Sequence, residues 1–171
     1  MTTRLRAAEV VALLGLEPLP VEGGLFRQTW RHDENGRVIG TATYAAVTSD
    51  PDSFSAMHRL DRDEIWHFYA GDPLQLVLLH PDGSFTTPLL GSDLAAGQRP
   101  QLAVLAGTWM GADLVPGGEY ALFGNTMAPG FESGCYEGGV REHLSARWPA
   151  AAEMIARLTR PDAALTMPDG L

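Results

Sequence analysis

Short apolar runs, broken by turn residues about every 8–12 positions, dominate the middle of the chain. Leu25 to Arg31, Thr41 to Thr48, Met57 to Arg59, Glu64 to Tyr69 and Leu74 to His80 carry the aromatic, β-branched and leucine residues that suit a pleated surface. Phe85 to Leu90, Leu102 to Leu105, Ala112 to Val115 and Tyr120 to Asn125 continue the series. The breaks have turn chemistry: Asp33-Glu-Asn-Gly36 at a hairpin tip, then Ser49-Asp-Pro-Asp-Ser53, Gly71-Asp-Pro, Pro81-Asp-Gly83 and Pro116-Gly-Gly118. This pattern predicts an all-β sandwich or barrel. Helical periodicity is confined to the ends. Leu5, Ala8, Val11 or Ala12, and Leu14 predict a helix over residues 3–14, capped by Thr3 and stopped by Gly15. Trp148 to Arg160 predicts a second, with Ala151, Ile155 and Leu158 on its apolar side and Pro161 ending it. Residues 161–171 read as a loose tail. No repeat or linker divides the chain, and 171 residues suit one domain, with the barrel over about 20–145.

Composition narrows the partners. A net charge of −9 with only scattered arginines leaves no electropositive footprint for nucleic acid. All twelve basic side chains are arginines, so no lysine is present to form a Schiff base. The single Cys135 cannot close an internal disulfide, which fits a reducing cytoplasm. No apolar run approaches the roughly 18 residues of a membrane span. Glu9 interrupts the apolar stretch that a signal peptide would need. The expectation is a cytoplasmic protein without nucleic-acid or membrane partners.

The densest chemistry lies in His58-Arg-Leu-Asp-Arg-Asp-Glu64-Ile-Trp-His67-Phe-Tyr-Ala-Gly71. Imidazole and carboxylate groups converging from neighbouring strands make an acid–base pair or a metal site. Strand alternation puts Trp66 and Phe68 on the face of Glu64, with Ile65, His67 and Tyr69 opposite. His58 and Glu64 on adjacent antiparallel strands would then share an aromatic-walled pocket suited to a small molecule. The alternative is a hydrogen-bonded polar pair sealing a barrel end. His67 falls on the other face, at a dimer interface or in the core. A bulge would instead bring it to His58 and Glu64 as a third ligand for Fe, Mn, Ni or Zn. Arg27 and Thr29 share one face of the first strand, where Arg27 would clamp a carboxylate or phosphate, or make a rim salt bridge. Tyr44 reads as a general acid or a wall residue, and Trp109 and Phe131 as pocket wall or core. Cys135 has no basic neighbour in sequence to activate it. His32, His80 and His143 flank turns and read as solvated.

His58, Glu64 and Gly71 resemble the first signature of the cupin superfamily, His-x-His followed by Glu and then Gly, with Leu60 at the second histidine. Leu105-Ala-Gly107 resembles the start of the second signature, with Met110 at its histidine. Longer stretches are similar to one cupin subfamily long labelled a domain of unknown function. They are Glu22-Gly-Gly-Leu-Phe-Arg27, Thr41-Ala-Thr-Tyr44, Asp63-Glu-Ile-Trp-His-Phe-Tyr-Ala-Gly-Asp-Pro-Leu74, Gly107-Thr-Trp109 and Ala128-Pro-Gly-Phe131. Met110 stands where that likeness leads to Gln, and Asn125 where it leads to Cys.

The resemblance implies a cupin-type jelly-roll β-barrel with short N- and C-terminal helices, paired as a homodimer that covers exposed sheet edges. It also implies a fold similar to the dTDP-4-keto-6-deoxyhexose 3,5-epimerases, which use a histidine–carboxylate base and a tyrosine acid. On that likeness His58, oriented by Glu64, would remove a proton beside a carbonyl, with Tyr44 as the acid. Arg27, Thr29, Trp66, Phe68, Trp109, Met110 and Phe131 would bind a small polar or anionic, sugar-like molecule, with no cofactor. The competing readings are a metal-dependent dioxygenase or lyase, with His58, Glu64 and His67 as ligands, and a binding or sensing module that turns nothing over.

Overall fold

Asn35 and Gly36 both adopt positive φ (51° and 73°), the conformation that closes a tight hairpin between the two longest strands. These are β2 (Leu25–Glu34) and β3 (Arg37–Thr48), in a computed structural model that describes residues 4–170. The other strands are β1 (Glu17–Pro18), β4 (Ser55–Leu60), β5 (Glu64–Gly71), β6 (Leu74–Leu79), β7 (Phe85–Thr86), β8 (Leu89–Leu90), β9 (Gln101–Val104), β10 (Trp109–Leu114), β11 (Tyr120–Met127) and β12 (Tyr136–Gly138). One antiparallel sheet runs β1-β2-β3-β11-β5-β9, and the other β12-β4-β10-β6-β7, with β8 beside β6. The fold is an all-β jelly-roll barrel with short terminal helices; the turn spacing predicts an all-β sandwich or barrel, and the resemblance implies the jelly roll.

Apolar packing forms two layers. Trp66, Leu76, Leu90, Met110 and Phe123 fill the space between the sheets. Met57, Val77, Leu79 and Trp109 turn the other way, against Leu144, Trp148, Ile155 and Leu158 of the C-terminal helices. Strand β6 is therefore buried on both faces, which is why it reads Leu-Gln-Leu-Val-Leu-Leu rather than alternating.

The ends and edges depart from expectation. Helix α1 spans Ala7–Leu14, and Gly15 stops it in the left-handed conformation. Its N-cap is Arg6, whose backbone N–H donates to Glu9, while the expected Thr3 cap lies outside the described residues. The predicted 148–160 helix is a 3-10 turn (Pro149–Ala151) followed by the short helix α3 (Ala152–Arg157), and a further helix that the pattern did not predict, α2 (Arg141–Arg147), precedes it. Pro88, which has no N–H for a ladder, divides the expected Phe85 to Leu90 strand into β7 and β8. The tail is packed rather than loose. Gly138 donates its N–H to Leu165, and Met167 is buried against the space between the sheets.

Candidate functional site

A cavity with a water-accessible volume of about 80 Å³ lies between the sheets. That is several times the roughly 10–15 Å³ one water needs, so it holds several waters or the head of a small ligand. His58 reaches it because β4 is bulged. On β10 Met110 pairs with His58 and Ala112 with Ser55, so two steps on β10 face three on β4. The extra residue re-phases the strand, and Ser55, His58 and Leu60 all line the cavity while Met57 packs on the outer layer.

The bulge also sets the imidazole's chemistry. His58 is 2% exposed, and its Nδ1 lies 2.7 Å from the carbonyl oxygen of Ala56. A carbonyl only accepts, so Nδ1 carries the hydrogen and Nε2 is left to exchange a proton. Nε2 faces Glu22 Oε2 at 3.8 Å, and the other Glu22 oxygen accepts from the Ser55 hydroxyl at 2.6 Å. Tyr136 stacks on the imidazole, its centroid 5.1 Å away and its plane 15° off. Burial pushes the Tyr136 phenol up and keeps it un-ionised.

Glu22 owes its position to a turn. Val21 has φ 67°, a costly conformation for a β-branched residue that persists only where its surroundings impose it. Arg160 imposes it here, donating to the Glu22 carbonyl at 2.9 Å and filling the space a side chain at Gly23 would need. Ala56 N–H donates to the same carbonyl at 2.9 Å, which ties the turn to the bulge.

Glu64 enters from β5 in the facing sheet, is 8% exposed, and its Oε2 has no hydrogen-bond partner among the described residues. Burial, and next the negative charge of Glu22, push its carboxyl up to about 8. The Trp66 indole N–H beside it opposes that rise, although it lies outside hydrogen-bonding geometry. Asn125 of β11 lines the same cavity, and its Nδ2 is likewise without a partner among the described residues.

Several expected site residues lie elsewhere. His58 and Glu64 are on different sheets, not adjacent strands, and the carboxylate facing His58 is Glu22. On β3 the residues lining the cavity include Thr41, Thr43 and Ala45, which sends Tyr44 to the outer face, edge-on to Tyr69 at 5.8 Å. Leu25, Phe26 and Gln28 of β2 line the cavity, whereas Arg27 and Thr29 do not and are exposed. Arg27 donates to Leu14 O at 3.0 Å at the end of α1, and Thr29 donates to Ala42 O at 3.1 Å. Trp109 packs in the outer layer under the Arg59 guanidinium, 4.9 Å from its ring centroid. Trp66 and Phe68 do share the inner face with Glu64, but they belong to the core around the cavity. Trp66 stacks on Phe123 at 5.1 Å. Met110 is buried in the same core opposite His58, and Phe131 lines the cavity. His32 and His143 are exposed, while His80 is half-buried and paired with Thr86.

His67 stays on the outer face, as strand parity indicates, with Nε2 2.8 Å from the Thr126 hydroxyl. It does not join His58 and Glu64. Leu60 and Met110, both buried and apolar, occupy the two remaining histidine positions of the signatures. Among the described residues no group of three or more His, Cys, Asp or Glu side chains is placed to hold a metal ion. The donor set does not fit a metal centre. Glu22 is the functional candidate the motif reading passed over; its signal was an acidic residue held between a proline turn and two glycines.

Two facing antiparallel sheets around a buried imidazole–carboxylate pocket define a cupin barrel. The model for the cupin superfamily family DUF985 matches residues 8–137, and the chain belongs to that family. It is 33% identical to a protein from Shewanella oneidensis of solved structure, over 93% of this chain and 100% of that one, with a TM-score of 0.84. A hypothetical protein from Leishmania major is 26% identical, over 92% and 100%, with a TM-score of 0.80. A dTDP sugar isomerase from Desulfovibrio desulfuricans shares the fold at 18% identity, over 78% and 85%, with a TM-score of 0.52. No curated protein matches the chain. Among the described residues no helix is long and apolar enough to cross a membrane.

Proposed function

We propose that the cavity is an acid–base site that removes a proton beside the carbonyl of a small sugar-like molecule in the cytoplasm, an isomerase- or epimerase-like reaction. One observation carries this reading: a buried histidine lining a cavity, with its tautomer set by a backbone carbonyl and its free nitrogen 3.8 Å from a carboxylate that lines the same cavity. His58 Nε2 is the base, and Glu22, anchored by Ser55, stabilises the imidazolium that forms. Glu64, on the facing sheet, supplies a carboxyl that burial keeps protonated near neutral pH. Tyr44, Arg27 and Thr29 take no part, since they lie outside the cavity. The likeness in fold to a sugar isomerase agrees with the substrate class by analogy only. No step runs through a metal.

The test is solvent exchange. Keto-sugars and sugar nucleotides are incubated with the protein in D2O, and loss of C–H signal is followed by proton NMR. The wild type and Tyr44→Phe exchange a substrate, while His58→Gln and Glu22→Gln slow on the order of 10²-fold. Binding without exchange by the wild type would leave a sensing module in place of an enzyme.

A further inference from the structure

Three buried side-chain polar atoms have no partner among the described residues: Glu64 Oε2, Trp66 Nε1 and Asn125 Nδ2. They are neighbours. Across β5 and β11, Asn125 pairs with Trp66 and Met127 with Glu64, which makes Glu64 and Asn125 diagonal neighbours within side-chain reach. Folded proteins satisfy nearly all such groups, so a cluster of orphans at one place points to a missing partner. Glu64 and Asn125 both line the cavity, whose opposite wall carries His58.

The missing partner's chemistry follows from what surrounds it. An amide N–H and a carboxyl O–H both donate, so the group between them is an acceptor oxygen. The ionisable residues lining the cavity are Glu22, His58 and Glu64, with no guanidinium among them. Two carboxyls against one imidazole disfavour an anionic group inside.

We propose that Asn125 Nδ2 and the Glu64 carboxyl hold the carbonyl oxygen of a neutral α-hydroxy aldehyde or ketone, facing the His58–Glu22 base. This rests on the acid–base reading above and specifies its substrate. His58 Nε2 takes the proton from the carbon bearing the hydroxyl, and that C–H pair becomes the C=C bond of an enediol. The carbonyl π pair moves onto oxygen, which takes the Glu64 proton. The imidazolium then returns its proton to the former carbonyl carbon, and the Glu64 carboxylate recovers one from the other hydroxyl. The carbonyl has moved to the adjacent carbon, and no oxidant or reductant is consumed. One base on one face isomerises; inverting a centre needs an acid on the opposite face, and Tyr44, the residue expected there, lies outside.

The probes are dihydroxyacetone, hydroxyacetone and a keto-sugar in D2O, with lactate as the anionic control. NMR follows deuterium at carbon and the aldehyde formed, and ligand-observed NMR follows binding. Glu64→Gln retains binding but loses exchange on the order of 10²-fold, because an amide donates a hydrogen bond without surrendering its proton. Asn125→Asp loses binding. Asn125→Ala, which adds no charge, does the same should the aspartate variant not fold. His58-dependent exchange that Glu64→Gln and Asn125→Ala leave unchanged would overturn this assignment and spare the acid–base reading. Absence of wild-type exchange with all three probes, or exchange indifferent to His58→Gln, would overturn both. Lactate binding tighter than dihydroxyacetone would refute the neutral ligand.

Discussion

Replacing Glu64 with Gln converts a buried carboxyl into a neutral group of the same shape, and the consequence is set by pH. The folded-state carboxyl is pushed from an ordinary 4.5 to about 8, first by burial and then by the charge of Glu22. The folded state therefore binds a proton that the unfolded chain has already released throughout the window between those values. Because the shift is upward in an acid, stability is lost as pH rises through this window, flattening above about 8. The slope is one proton, about 1.4 kcal/mol per pH unit, and the whole penalty is on the order of 4–5 kcal/mol as an upper bound. Urea denaturation of wild type and Glu64→Gln at intervals from pH 5 to pH 9 measures the difference directly. The variant gains on the wild type with each step in pH, while the urea slope stays the same, and the gap stops growing near pH 8. Parallel stability curves would refute the reasoning, for they would mean that Glu64 ionises in the folded protein as it does in the unfolded chain.

Two further predictions concern the frame around the site. Asp72 accepts from the Arg4 guanidinium and from the backbone N–H groups of Glu119 and Tyr120, and these contacts, Arg4 first, hold its carboxyl down to about 2. Its contribution is present above the ordinary value of 3.8 and is lost as pH falls from there toward 2, so Asp72→Asn removes this acid limb in a pH titration of stability. The same substitution costs about 1–3 kcal/mol at neutral pH by leaving donors unpaired, read from thermal denaturation. Leu76 is fully buried between the sheets, and Leu76→Ala costs about 2–5 kcal/mol in the same assay.

The strands were legible because turn chemistry punctuates them and their inward residues contrast with their outward ones. Glu64, Trp66 and Phe68 share a face as alternation requires, and His67 takes the other. Where contrast is weak, parity says which residues share a face but not which face that is. Arg27 and Thr29 are both exposed on β2, but a bulge at Thr29 interrupts the alternation between them, and nothing in the pattern of this mostly exposed strand marks the inner side. In β3 the run Thr-Ala-Thr-Tyr-Ala-Ala-Val offers no polar–apolar alternation to place Tyr44. His58 reaches the cavity through a bulge, which adds a residue without leaving a periodic trace. Glu22 sits in an irregular turn held by Arg160, far away in sequence, so its approach to His58 depends on tertiary contacts alone. The C-terminal tail escaped for a similar reason: one buried methionine gives no pattern to read.

The most direct measurement is the tautomer of His58, read by long-range proton–nitrogen correlation NMR on nitrogen-15-labelled protein at a pH where the ring is neutral. The hydrogen belongs on Nδ1, donated to Ala56, and the resonance of the bare Nε2 moves when Glu22 is changed to Gln. A hydrogen on Nε2, with the ring insensitive to Glu22→Gln, would contradict the geometry from which the base is assigned.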